Sequence, residues 1–80
     1  MKLKRSMVHW ACRRGILELD ILIHRFFEKK FKKLNSSQKK SFFNMLMYDD
    51  YNLYKWLVCN KIPKIKSIQK IVILIKDSFK

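Results

Sequence analysis

One glycine in 80 residues leaves this backbone almost nowhere to relax, so Gly15 marks a place where a side chain would obstruct a tight turn or a close approach. It sits in HWACRRGILELD, residues 9–20, between the basic pair Arg13 and Arg14 and the acidic residues Glu18 and Asp20. A function carried by this chain is to be sought there first.

Length and composition narrow the rest. At 80 residues the chain reads as one domain, residues 1–80. A domain of this size buries ~60–65% of the surface its unfolded chain exposes, enough for a thin core but not for a deep catalytic cavity. A small adaptor fits better than an enzyme. The net charge of +13 invites a nucleic-acid reading, because clustered cations release counterions from phosphates. Yet 15 of the 19 basic residues are Lys, accompanied by heavy use of Ile, Asn, Phe and Tyr, the pattern of an AT-biased genome. A solvated Lys-rich surface is favoured, and a small basic helical module binding nucleic acid is kept as the alternative.

Cys12 and Cys59 belong to no CxxC pair and read as reduced thiols, with no metal site assembled from spacing. The charged start lacks an unbroken apolar stretch, because His9, Arg13 and Arg14 interrupt it, so no secretion signal is expected. The aliphatic run Ile71 to Ile75 is far short of the ~20 residues a membrane helix needs. A soluble, cytoplasmic protein is expected.

Hydrophobic spacing predicts an all-α protein of about five short helices. Leu3, Met7, Trp10 and Arg14 define a stripe on a first helix that stops at Gly15. A second helix runs from about Ile16 to Lys33, with Leu19, Leu22, Ile23, Phe26, Phe27 and Phe31 on its core face. Asn35 and Gln38 have capping-box spacing and open a third helix carrying Phe42, Phe43, Leu46 and Met47. Asp49 or Asp50 caps a fourth, with Leu53, Trp56 and Leu57 inward, which Pro63 ends. Ile65, Ile68, Val72, Ile75 and Phe79 fit a fifth helix, and no second strand exists to pair with Ile71 to Ile75 as a strand.

Gly15 as N-cap of the second helix would put Glu18 at the third helical position, where its carboxylate answers the helix dipole. The functional reading has Arg13, Arg14, Glu18 and Asp20 project from a glycine corner as a charged contact patch. The residues alone do not choose between the two. His9 and His24 lack a metal partner set or a nearby nucleophile and read as partly exposed helix histidines. Trp10 and Trp56 read as core or rim packing. The lysines between Lys29 and Lys40 read as a solvated face.

The string HWACRRGILELD, continued by Phe26-Phe27-Glu28, FNMLMYDDYNLYKWL and Pro63, resembles the succinate dehydrogenase assembly factors of the SdhE (YgfY-like) family. The likeness spans nearly the whole chain, and the family's RGxxE stands here as Arg14, Gly15 and Glu18. It implies a five-helix bundle without redox or catalytic chemistry of its own. Such a factor binds the flavoprotein subunit of succinate dehydrogenase, with that of fumarate reductase as a further candidate, and promotes its covalent flavinylation. The FAD belongs to the partner, in which a histidine bonds to the flavin C8α methyl. Carried over, Arg14, Gly15 and Glu18 lie at the contact, with Arg13, Asp20, His9 and Trp10 as neighbours and the chain as a monomer.

Departures fall elsewhere in the chain. Relatives often have a glycine between the Trp-Leu pair and the proline, where this chain has Asn60 and Lys61, so Asn60 is expected to close the fourth helix in the left-handed region. Tyr51 replaces a proline that many relatives carry, and many of them are acidic or near neutral overall.

Overall fold

A computed structural model describes residues 4–79. They form α1 (Arg5–Ala11), α2 (Leu17–Lys30) with a 3-10 extension (Phe31–Lys33), α3 (Ser36–Leu46), α4 (Asp50–Leu57) and α5 (Lys66–Asp77). No strand occurs among the described residues, and the all-α expectation holds. α3 packs mainly on α5, α4 touches both α2 and α5, and α1 lies against α3. No helix among the described residues is long and apolar enough to cross a membrane.

Local chemistry sets most boundaries. The Asn35 side chain accepts the Gln38 N–H at 2.8 Å while the Gln38 side chain accepts the Asn35 N–H at 3.0 Å, a complete capping box at the start of α3. Asp49 caps α4 by accepting the Asn52 N–H at 3.0 Å, which leaves Asp50 free for another task. α4 ends before Pro63. Its last helical residue is Leu57, and Asn60, at φ 62°, turns the chain away through the left-handed region. Asn60 therefore closes this helix, as the missing glycine led us to expect, and Pro63, buried in the following segment, does not.

The core is one cluster. Leu19, Ile23, Phe26 and Phe27 of α2 meet Phe42, Met45 and Leu46 of α3, Leu53 and Leu57 of α4, and Ile68, Ile71 and Ile75 of α5. Phe26, Phe31 and Phe42 meet ring to ring, with centroids 5.4 Å apart for Phe26–Phe42 and 6.0 Å for Phe31–Phe42. Leu22 and Phe43 are only partly buried, and Met47, Ile65 and Phe79 of the expected inward faces are exposed.

The first helix departs most from expectation. It stops at Ala11, with Cys12 as its C-cap, rather than at Gly15. Its buried residues are Val8, Ala11 and Cys12, whereas Met7 is 37% and Trp10 75% exposed. Leu3 lies outside the described residues. Two turns can present either set inward, and contact with α3 selects the smaller side chains, which let the two backbones approach closely. Trp10 is thus not a core residue, while Trp56 is.

Burial pushes the Cys12 thiol up from 9.0 to about 12, against the opposing pull of the Arg14 charge. A raised folded-state value adds stability that is full below the unfolded value and is lost as the pH climbs through the folded one. Relative to Cys12→Ala, the wild type should therefore lose stability between pH 9.0 and about 12, by up to about 1.4 kcal/mol per pH unit. Denaturant melts across that range check this, and equal slopes for the two proteins would refute it.

Candidate partner-binding corner

Between α1 and α2 the chain turns at residues 12–16, and this corner rests on the junction of α3 and α4. The link is the Arg14 side chain, which points inward and is only 10% exposed. Its Nη2 donates to the carbonyls of Ala11 at 2.6 Å and Leu46 at 2.9 Å, the last residues of α1 and α3. Its Nη1 donates to the Tyr48 carbonyl at 3.1 Å and to Asp50 Oδ1 at 3.3 Å. Two helix ends turn unpaired carbonyls, with their partial negative charge, toward one planar cation. A guanidinium can serve them because its donors form a fork. Its Nε is buried without a hydrogen-bond partner.

Arg14 therefore does not project as the contact-patch reading of the sequence had it. A charged side chain in a thin domain reads as exposed, but carbonyls gathered from distant parts of the chain supply the partners that burial requires.

The rest of the corner is tied down by acids. Asp50, the first residue of α4, accepts from Arg14 through Oδ1 and from the Gly15 N–H through Oδ2 at 2.7 Å. Asp20 Oδ1 accepts the Arg14 N–H at 3.3 Å and lies 3.2 Å from His24 Nε2. The N-cap of α2 is Ile16, not Gly15, so Glu18 is the second helical residue rather than the third. The Glu18 carboxylate lies beside the Tyr54 hydroxyl and raises the pKa of that phenol, first through its charge and also through a hydrogen bond.

Gly15 is exposed and not at positive φ. The atom that an added Cβ would meet within 4 Å is Asp50 Oδ2, at 3.2 Å. Neither backbone conformation nor core packing calls for glycine here; the close approach is that of one carboxylate.

The remaining expected residues divide between two sides. Arg13 and Trp10 line a shallow depression of about 390 Å³ together with Ala11, Arg14 and Met47. His9 lies farther along α1, stacked on Phe27 with centroids 5.2 Å apart and edge-on to His24 at 5.6 Å. The structure thus gathers Arg13, Arg14, Gly15, Glu18, Asp20 and Trp10 around one turn and sets His9 against the α2 face. The sequence did not place Asp50, Tyr54 or Met47 at the corner: Asp50 read as a candidate helix cap and Met47 as a residue of the third helix's apolar face. Asp50 left one signal, since a helix needs a single capping acid and the sequence offers two.

Residues 6–78 match the protein family described as flavinator of succinate dehydrogenase. The chain belongs to that family. It is 57% identical over 79 residues to the FAD assembly factor SdhE of Wigglesworthia glossinidia brevipalpis, an alignment covering 98% of this chain and 94% of the relative. Identity is 43% over 72 residues with the factor of the same name from Pectobacterium atrosepticum, covering 90% and 82%. It is 41% over 70 residues with that of Coxiella burnetii, covering 88% and 85%. The family role is thus assembly of a flavin enzyme, and in this member the inward arginine is a brace.

Replacing Arg14 by Leu strands carbonyls of Ala11, Leu46 and Tyr48 and leaves Asp50 without its cation. The expected cost is about 2–4 kcal/mol, given ~1–3 kcal/mol for each buried polar group left unpaired and partial rescue by water. Arg14→Lys should recover less than half, because a single ammonium cannot span all the acceptors. Thermal melts measure both, and a loss below ~0.5 kcal/mol for Arg14→Leu, the range of an ordinary surface change, would show that the brace does not hold the corner.

Proposed function

We propose that this chain binds the flavoprotein subunit of succinate dehydrogenase as a monomer, one to one, and promotes covalent attachment of FAD to it. The docking surface is the Gly15 corner, with Arg13, Glu18 and Trp10 beside it, Asp20 and His9 at its edge, and Arg14 bracing it from within. The observation that carries this reading is Gly15 itself: an exposed glycine that neither φ nor the core requires leaves bare backbone where another chain can approach closely. Family membership over residues 6–78 supplies the chemistry.

On this reading the FAD and the bond-forming histidine belong to the partner, and the chain contributes neither a catalytic group nor a resident cofactor. Its effect on the rate comes from binding the reactive arrangement of the partner more tightly than the resting one, since equal affinity for both would accelerate nothing. The flavoprotein of fumarate reductase presents the same chemistry and is a second candidate partner. The encounter takes place in the cytoplasm.

Gly15→Arg separates the corner from the fold. The side chain displaces one carboxylate and no core volume, so helicity persists, while flavinylation of the partner falls to background. Circular dichroism and in-gel flavin fluorescence on the same variant read the two effects. Activity retained, or helicity lost with it, would refute the assignment. A second variant with Lys29, Lys30, Lys32 and Lys33 changed to Gln tests the basic face. Flavinylation should be nearly unchanged at physiological ionic strength, where exposed charges are screened beyond ~8 Å. Any DNA affinity should fall, marking it as nonspecific. Collapse of flavinylation with the fold intact would move the interface to the lysine face.

A further inference from the structure

We propose that Asp50 is a positioning residue for docking: its carboxylate fixes the Gly15 corner in the arrangement the flavoprotein binds. This rests on the assignment of the corner as the docking surface. Asp50 stands 35 residues from Gly15 in sequence, yet it holds the Gly15 N–H at 2.7 Å and the Arg14 guanidinium at 3.3 Å through separate oxygens. One side chain thereby orients a backbone amide of the exposed turn and anchors that amide to the buried cation of the neighbouring residue.

Asp50 is not needed to start its helix, because Asp49 already accepts the Asn52 N–H. Nor does it alone hold Arg14, which keeps its bonds to Ala11, Leu46 and Tyr48. The contribution specific to Asp50 is therefore the tie to Gly15. Without it the exposed amide turns to water, and the Gly15 peptide must be set in place at the moment of binding, which costs affinity. A Cβ at position 15 would lie 3.2 Å from that same Oδ2, so a side chain there would also disturb the tie.

Asp50→Ala is compared with Asp49→Ala, which removes a neighbouring acid and a helix cap but makes no contact at the corner. Both should remain folded with lowered melting temperatures. In flavinylation assays titrated with the factor, Asp50→Ala should raise the half-saturating concentration about tenfold or more, the factor corresponding to loss of one charge-assisted hydrogen bond. The rate at saturation should stay at the wild-type value, and Asp49→Ala should leave both parameters unchanged. Equal effects of the two substitutions would reduce Asp50 to a stability role, and no shift for Asp50→Ala would overturn the proposal.

The free chain supplies an independent reading, because its one glycine gives a backbone amide resonance that cannot be confused with another. Asp50→Ala should shift this resonance and speed its hydrogen exchange, whereas Asp49→Ala should not. An unmoved Gly15 amide refutes the tie itself. A shifted amide in a chain whose wild type does not bind the flavoprotein refutes the docking assignment instead, and with it the role given to Asp50.

Discussion

The Arg14 guanidinium is the constraint on which the arrangement of this domain depends. α1 and α3 both end at one point, and a helix end inside a fold needs partners for its last carbonyls. Arg14 provides them for Ala11 and Leu46 and extends to Tyr48 and Asp50, so one side chain joins four places in the sequence. With a hydrogen bond to a charged group worth about 1.5–3 kcal/mol net, and bonds that share one cation giving less than their sum, loss of the brace rivals truncation of a large core side chain. In a chain of 80 residues, whose core is thin, polar bracing of this kind takes over work that a larger domain assigns to buried apolar area.

The brace also sorts the residues of the turn by direction. Arg14 is spent inward, so an outside molecule meets the Gly15 backbone, the exposed Arg13 and Glu18, and the Trp10 ring, which is 75% exposed. If the corner docks the flavoprotein as proposed, specificity resides in a shape the fold holds rigid more than in the motif arginine as a free charge. Rigid presentation has a defined benefit, because ordering entropy already lost in folding is not lost again on docking.

How much of this was legible in the sequence followed from the range of the interactions involved. The capping box at Asn35 and Gln38, the inward face of α4 and the left-handed Asn60 are set within a few residues, and each was readable. The phase of α1 was not, because two turns admit two apolar faces and only α3 decides between them. The inward course of Arg14 was hidden for the same reason: its acceptors at Leu46, Tyr48 and Asp50 lie 32 to 36 residues away. Periodicity finds elements and their buried sides, but it cannot show that three carbonyls and a carboxylate converge on one cation.

The chain has six acidic residues against nineteen basic ones, and Glu18, Asp20 and Asp50 stand at or beside the corner. Elsewhere cations dominate, some laid over rings, as Lys39 is over Phe31 at 5.2 Å and Lys55 over Tyr51 at 4.8 Å. At the turn the acids are engaged with this chain's own groups, Asp50 with Gly15 and Arg14 and Asp20 with Arg14 and His24, so they hold the corner in place. Charges on the lysine faces act through solvent and are screened beyond a Debye length that shortens as salt rises, while the brace around Arg14, shielded from water, keeps its strength.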